Sequence, residues 1–220
     1  MPWKGVLFDL DGTLVETAPE IADAVNDTLR HFGMPPVTQT QVHGWIGHGT
    51  RELLILALAH LYDHSVAQVR QSTLLQSVLP VFDTYYQRRC GTRSHLYPQV
   101  REVLAALRAR GCRLAVVTNK EARYTQRVLQ AHGLQDRFDC IISGDSFPTR
   151  KPDPTSVLDT LAQWQVAPAE ALLVGDSSID AATARNAGLP VWLVPYGYNA
   201  GQPVQDCQPD QVITDLSALL

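Results

Sequence analysis

The sequence predicts an α/β fold, a doubly wound parallel sheet interrupted once by a helical insertion, and three observations carry that prediction. From Pro98 onward, short apolar runs alternate with segments of helical periodicity, the pattern of strands covered by helices on both faces. The N-terminal run Val6-Leu7-Phe8 has the same buried-strand character. Between Thr17 and Cys90, by contrast, no strand-like run occurs. The economical division is a core of residues 1–15 and 92–220 with a helical domain, 16–91, inserted at a loop. Such insertion is tolerated where the two ends of the loop lie close together.

Each element follows from its local pattern. The first strand runs out into Asp9-Leu10-Asp11-Gly12, and "TAPE" at residues 17–20 then has the capping-box form, with Thr17 capping and Glu20 reaching back. Ile21, Ala24, Val25, Thr28, Leu29 and Phe32 recur at helical spacing, and Gly33 with Pro35-Pro36 ends that helix. Two further helical blocks are expected at about residues 51–62 and 66–89. Val100, Val103, Leu104 and Leu107 mark a helix that Gly111 terminates. Strands are then expected at "CRLAVVTNK", "DCIIS", "EALLVGDSS" and "PVWLV", with helices near 121–132, 155–164 and 179–187 between them, and "DQVIT" as an edge strand.

Composition narrows the function classes. The chain has 220 residues, 45% of them apolar and 18% charged, enough for a full core and too few charges for disorder. A net charge of −4 without a basic block argues against nucleic acid as a partner. No apolar run reaches membrane-spanning length, and Asp9 comes too early for a signal peptide. Cys90, Cys112, Cys140 and Cys207 are scattered with no C-x-x-C pair, as expected of reduced, mostly buried thiols. These features predict a soluble, cytoplasmic protein.

Ligands of an open α/β sheet bind beyond the carboxyl ends of its strands. Those ends carry Asp9 and Asp11, Thr118 and Asn119, residues 143–145, and Gly175 to Ser177, with Lys151 in "TRKPDP" just ahead of a helix. Strand alternation places Asp9 and Asp11 on one side. Two ionised carboxylates so close repel, so one is protonated or a cation lies between them. Asp176 and Asp180 add to the crowding, and oxygen donors without a His or Cys motif suit Mg²⁺ before Zn²⁺. A Thr hydroxyl and a Lys ammonium opposite that ion would clamp a phosphate.

Taken singly, each group has an ordinary structural explanation. A strand-end Asp is commonly a turn or cap residue, Thr118-Asn119 a helix N-cap, Lys151 solvated surface, and "GDSSID" a helix start. Their conjunction, in the order D-x-D-G-T, T-N, K-P-D-P and G-D-S-x-x-D, is what coincidence does not explain.

With these motifs the chain resembles the haloacid dehalogenase-like (HAD) superfamily of hydrolases along its whole length. The resemblance rests on "DLDGTL" from Asp9, "VVTN" ending at Thr118 and Asn119, Lys151 in "RKPDP" and "GDSSID" from Gly175. It implies a Rossmann-like core and, because the insertion follows the first motif, a helical-bundle cap. By motif position it implies Asp9 as nucleophile, forming an aspartyl-phosphate, and Asp11 as the acid and then the base. It further implies Mg²⁺ held by the Asp9 carboxylate, the Asp11 main-chain carbonyl and Asp176 with Asp180 in support, and Thr118, the Asn119 backbone and Lys151 on the phosphoryl oxygens. The acid at Asp11 disfavours dehalogenation, whose halide leaving group needs no proton.

The loop "WIGHGTRELL" at residues 45–54, and "PYGYN" at 195–199, are similar to segments of phosphoglycolate phosphatases. Gly47 and Gly49 would let backbone approach a ligand at a helix start. His48 and Arg51 are either ligands of a substrate carboxylate or a cap and a helix-surface residue. The expected activity is Mg²⁺-dependent hydrolysis of a small phosphomonoester, foremost 2-phosphoglycolate. The alternatives are a sugar phosphatase, a pyrophosphatase, a β-phosphoglucomutase-like mutase, or a non-catalytic binding protein of the same fold.

Overall fold

Alternation along the first strand decides the architecture. In the computed structural model, which describes residues 3–220, Gly5–Phe8 forms β1. Val6 and Phe8 pack into one buried cluster, and Leu7 packs into another on the opposite face. A strand covered on both sides requires this.

The chain continues through β2 (Val15–Glu16) and helices α1 (Ala18–His31), α2 (Gln39–His43), α3 (Thr50–Tyr62), α4 (Val66–Arg70) and α5 (Thr73–Arg89). After β3 (His95–Leu96) come α6 (Val100–Ala109), β4 (Arg113–Val117), α7 (Ala122–Ala131), β5 (Cys140–Ile142) and α8 (Thr155–Trp164). The described residues close with β6 (Ala171–Gly175), α9 (Ser178–Ala187), β7 (Val191–Leu193) and the expected edge strand β8 (Gln211–Val212).

Six strands form one parallel sheet in the order β5-β4-β1-β6-β7-β8. Phe8 of β1 stands level with Val116 of β4 on one side and Val174 of β6 on the other. The chain changes direction of travel across the sheet at β1, so a crevice opens beyond the carboxyl ends of β1, β4 and β6. Helices α1 to α5 bury a cluster of their own, including Ile21, Val25, Leu29, Leu54, Leu58 and Phe82. The two crossings into and out of this helical segment are drawn together by the antiparallel ladder of β2 on β3, with Glu16 opposite His95.

Two local expectations are corrected. The capping box at residues 17–20 does not form: Thr17 sits at φ −108°, ψ −9°, with no side-chain cap on α1. Its hydroxyl donates instead to Asp11 Oδ1 at 2.6 Å, and the amides of Thr17 and Ala18 donate to the Tyr198 phenol at 3.0 and 2.9 Å. Glu20 is buried and accepts the amides of Gly91 and Ser94 at 2.8 and 3.1 Å. Burial pushes its carboxyl above the ordinary value, against the opposing pull of Lys120. The block at 66–89 is two helices, because Ser72 accepts the Leu75 amide at 3.2 Å and donates to Val69 O at 2.8 Å, starting α5 afresh. The cysteines are all free, with Cys112 buried and Cys90, Cys140 and Cys207 half-buried. No helix among the described residues is long and apolar enough to cross a membrane.

Candidate active site

The crevice at the switch point collects the strand-end residues. β1 stops at Phe8; the Asp9 amide still reaches Val174 O at 2.9 Å, and the chain then tightens around Leu10, whose carbonyl accepts the Leu14 and Val15 amides at 3.0 Å. Extended alternation therefore ends before Asp11. The two aspartates line the same cleft, where the charge of Asp11 helps push Asp9 upward, and their carboxylates have different partners. Asp9 Oδ1 lies 3.0 Å from Lys151 Nζ, whereas both oxygens of Asp11 accept from Lys120 Nζ at 2.8 and 2.9 Å. Thr17 supplies Asp11 with its further hydrogen bond.

Asp9 belongs with Asp176 and Asp180 in a group of carboxylates whose nearest oxygens all lie within 4.8 Å of one another. Asp180 opens α9: its Oδ2 accepts from the Ser177 hydroxyl at 2.7 Å and the Ser177 amide at 3.1 Å, and its Oδ1 takes Lys151 Nζ at 2.7 Å. Asp176 is fixed by the Thr13 hydroxyl at 2.8 Å and by the Tyr198 amide. Burial pushes Asp9 up to about 7, against the opposing pull of Lys151. Burial, then the charges of Asp180 and Asp9, raises Asp176 well above the usual carboxylate range. Lys151 is buried, which alone would lower its value, but Asp180 and Asp9 hold it above normal.

This group fits a hard divalent cation: oxygen donors alone, and crowded carboxylates that a positive charge would relieve. Glycine lets backbone approach Asp176 closely. A Cβ on Gly12 would fall 2.4 Å from Asp176 Oδ2 and one on Gly197 would fall 2.3 Å from it, and Gly12 has φ +87° besides. Asp9, Asp176 and Asp180 are the side chains placed to hold such an ion. The Asp11 carboxylate, turned to Lys120, is not among them.

Thr118 and Asn119 are buried at the end of β4 and line the cleft. Neither caps the following helix: α7 begins after Glu121, and Asp145 accepts its Ala122 amide at 2.8 Å. That bond gives the β5 strand-end acid a structural task. Asn119 Nδ2 donates to Gly47 O at 3.0 Å and to Lys151 O at 3.1 Å, tying the helical segment to the core. The Thr50 hydroxyl makes a second tie, to Glu121 Oε1 at 2.6 Å.

From the helical side the wall is Ile21, Ile46, Leu53 and Tyr86 with Gly47, Gly49 and Thr50. The cleft holds about 440 Å³ of empty space, mouth included. His48 and Arg51 are exposed and off this wall. Helix α3 explains why: Thr50 and Leu53, three apart, share the inward face, and Arg51 is turned about 100° away from Thr50.

Sequence reading missed three participants. Lys120 is buried beside Asp11, with its ammonium 5.0 Å from the centre of the Tyr86 ring. Thr17 and Thr13 orient Asp11 and Asp176. The signal that could have found Lys120 is its position directly after the strand-end Thr118-Asn119 pair. The similarity at 195–199 gains a physical content too: Tyr196 donates to Thr13 O at 3.1 Å, and Tyr198 donates to Glu16 Oε1 at 2.6 Å while accepting the first amides of α1.

The family model for haloacid dehalogenase-like hydrolases matches residues 6–194. A phosphoglycolate phosphatase of Vibrio vulnificus (strain YJ016) is 40% identical over 224 residues, covering 99% of this chain and 94% of its own length. One from Nitrosospira multiformis is also 40% identical, covering 98% and 93%. The crystal structure of a predicted phosphoglycolate phosphatase from Haemophilus somnus 129pt superposes with a TM-score of 0.92 at 32% identity, covering 100% of this chain and 97% of that one. The chain belongs to the haloacid dehalogenase-like hydrolases and, within them, is similar to the phosphoglycolate phosphatases.

Proposed function

We propose that the protein is a Mg²⁺-dependent phosphatase that hydrolyses 2-phosphoglycolate to glycolate and phosphate through an aspartyl-phosphate on Asp9. The observation that carries this reading is the pair of cleft aspartates set on different lysines. One acid lies among carboxylates that a cation would gather, and the other stands apart with its own ammonium. A nucleophile and a proton carrier need that separation of environments.

In the first step an Asp9 oxygen attacks phosphorus, and the bond to the ester oxygen breaks. Asp11 gives its proton to that oxygen, so glycolate leaves with its hydroxyl restored. In the second step Asp11 takes a proton from water, whose oxygen attacks the phosphorus and releases Asp9 and inorganic phosphate. Thr118, the Asn119 backbone and Lys151 would hold the phosphoryl oxygens in both steps. Mg²⁺ would be held by Asp9, Asp176 and the Asp11 main-chain carbonyl, with Asp180 in support. When bound it supplies positive charge that lets an anionic nucleophile approach an anionic ester.

The helical segment 16–91 would act as a cap that excludes bulk water over the reacting phosphate. Its cleft wall favours a small substrate, because Ile21, Ile46 and Leu53 offer nothing to the several hydroxyls of a sugar. Relatives named phosphoglycolate phosphatase at 40% identity support the same choice. A cytoplasmic enzyme is part of this reading, supported by four free thiols and no disulfide.

Phosphate release from a panel of 2-phosphoglycolate, glucose 1- and 6-phosphates, pyrophosphate and an aryl phosphate, with and without Mg²⁺, tests it. A clear kcat/KM preference for 2-phosphoglycolate that requires Mg²⁺ is the expected result. Strongest turnover of a sugar phosphate would refute the substrate assignment and leave the core chemistry standing.

A further inference from the structure

If the substrate carries a carboxylate, a cation must meet it, and the two residues read from sequence for that task are exposed and off the cleft wall. Among the described residues lining the cleft, Lys120 is the only cation. Lys151 serves Asp9 and Asp180 and is not on that wall. We infer that Lys120 is the residue that selects the substrate's carboxylate, in addition to holding Asp11. The inference rests on the phosphoglycolate reading above and adds the group that recognises its anion.

The geometry makes the assignment. To deliver its proton, Asp11 must stand within hydrogen-bond reach of the ester oxygen. Lys120 Nζ lies 2.8 and 2.9 Å from the two oxygens of Asp11. In 2-phosphoglycolate the carboxylate carbon is only two bonds from the ester oxygen, with one methylene between. A substrate placed for protonation by Asp11 therefore brings its carboxylate to the neighbourhood of the Lys120 ammonium.

Donor count and surroundings agree. An ammonium has three N–H groups. Two are engaged by Asp11, and among the described residues no hydrogen bond engages the third; the centre of the Tyr86 ring lies 5.0 Å away, and Cys90 and Glu20 are the other groups whose charge acts on this ammonium. The side chain is 3% exposed, so an anion reaching it would meet a donor already stripped of water, where a charge-assisted hydrogen bond is strongest. The apolar side chains of the same lining, Ile21, Ile46 and Leu53, fit the single methylene.

This placement also sets a length limit. A carboxylate one methylene further from the ester oxygen would be carried past Lys120 toward the apolar wall.

The test compares 2-phosphoglycolate with its neutral amide, 2-phosphoglycolamide, which presents the same ester oxygen to Asp11. Wild-type enzyme is expected to favour the carboxylate by about 10- to 100-fold in kcat/KM, the range of one charge-assisted hydrogen bond. Lys120→Met should lower turnover of both, because Asp11 loses its partner, and should bring the ratio down to about threefold or less. Lys120→Arg keeps the charge and should retain most of the ratio even if absolute rates fall. Equal losses on both substrates in Lys120→Met, with the ratio kept, would overturn the inference and leave the phosphatase reading intact.

A measurement on the unaltered protein guards against a variant that fails to fold. Wild-type enzyme should prefer 2-phosphoglycolate over the phosphate ester of 3-hydroxypropionate, and an equal or reversed preference would also overturn the inference. Failure of the phosphoglycolate reading itself has a different signature: wild-type enzyme with a carboxylate-to-amide ratio near one and faster turnover of another member of the panel.

Discussion

Lys151 and Lys120 each pair with one of the two cleft aspartates at equal depth, each lysine 3% exposed and each aspartate partner 12% exposed, yet their surroundings differ. Lys151 sits wholly within the α/β core, between Asp9 at the end of β1 and Asp180 on α9. Lys120 sits where the core meets the helical segment: Asp11 also accepts from Thr17 at the entry to α1, and the Tyr86 ring of α5 lies beside the ammonium. The Asp9 carboxylate is therefore paired within the core alone, whereas Asp11 and Lys120 also take contacts from the helical segment.

The largest effect that could break this contrast is loss of Asp9, the proposed nucleophile. Asp9→Asn should lower kcat by more than about 10⁴-fold, as removal of a covalent nucleophile does. Retained phosphate release in that variant would sink the assignment. Next is stability. Lys151→Met leaves a cluster of buried carboxylates without their cation and should cost about 3–5 kcal/mol in denaturant unfolding. Mg²⁺ should restore part of that loss, and no recovery would separate the acid cluster from metal binding.

The metal effect itself has a sign that follows from Asp9. Its value in the folded protein, about 7, lies above its ordinary 3.8. Between those values the folded state keeps a proton that the unfolded chain has released, so this group lowers the stability of metal-free protein as pH rises from about 4 to 7. A cation competes with that proton. The rise in Tm on adding Mg²⁺ should therefore be larger at pH 8 than at pH 5, measured in parallel melts. An equal rise at both values would show that the ion binds elsewhere.

Smaller effects sharpen the comparison at the helical segment. Tyr198→Phe removes the acceptor for two amides at the start of α1 and should cost about 1–2 kcal/mol, the range for loss of a helix cap. Arg51→Ala tests the other candidate for carboxylate recognition. Exposed and off the cleft wall, it should change KM for 2-phosphoglycolate less than about threefold, since surface substitutions are usually within about 0.5 kcal/mol. A tenfold rise would return that task to α3.

What the sequence disclosed divides along the same line. The order of strands and helices and the four strand-end motifs were readable because each is fixed by neighbours in the chain: Val6 to Phe8 alternate, and Ser177 and Asp180 cap one another. Thr17 was misread for the opposite reason. Its local pattern suggests a capping box, but the acceptor that starts α1 is Tyr198, 181 positions away from Thr17. Lys120 looks like a solvated lysine following a strand, and only the packing of Tyr86 and Asp11 around it makes it a buried charge. Arg51 was likewise a candidate until the phase of α3 turned it outward. Groups carried by strand-end motifs were legible even across the chain, as Asp9, Lys151, Asp176 and Asp180 show, whereas pairings that only side-chain packing creates, such as those of Thr17 and Lys120, were not.

The loop carrying Gly197 and Tyr198 has a consequence for modularity. Its backbone braces Asp176, and its phenol supplies the cap that α1 does not draw from its own chain. The inserted helices are thus not a self-contained accessory. A helical segment transplanted onto this core would inherit a good anchorage only if its first helix also began without a side-chain cap, and this segment moved to another scaffold would arrive with that end of α1 uncovered.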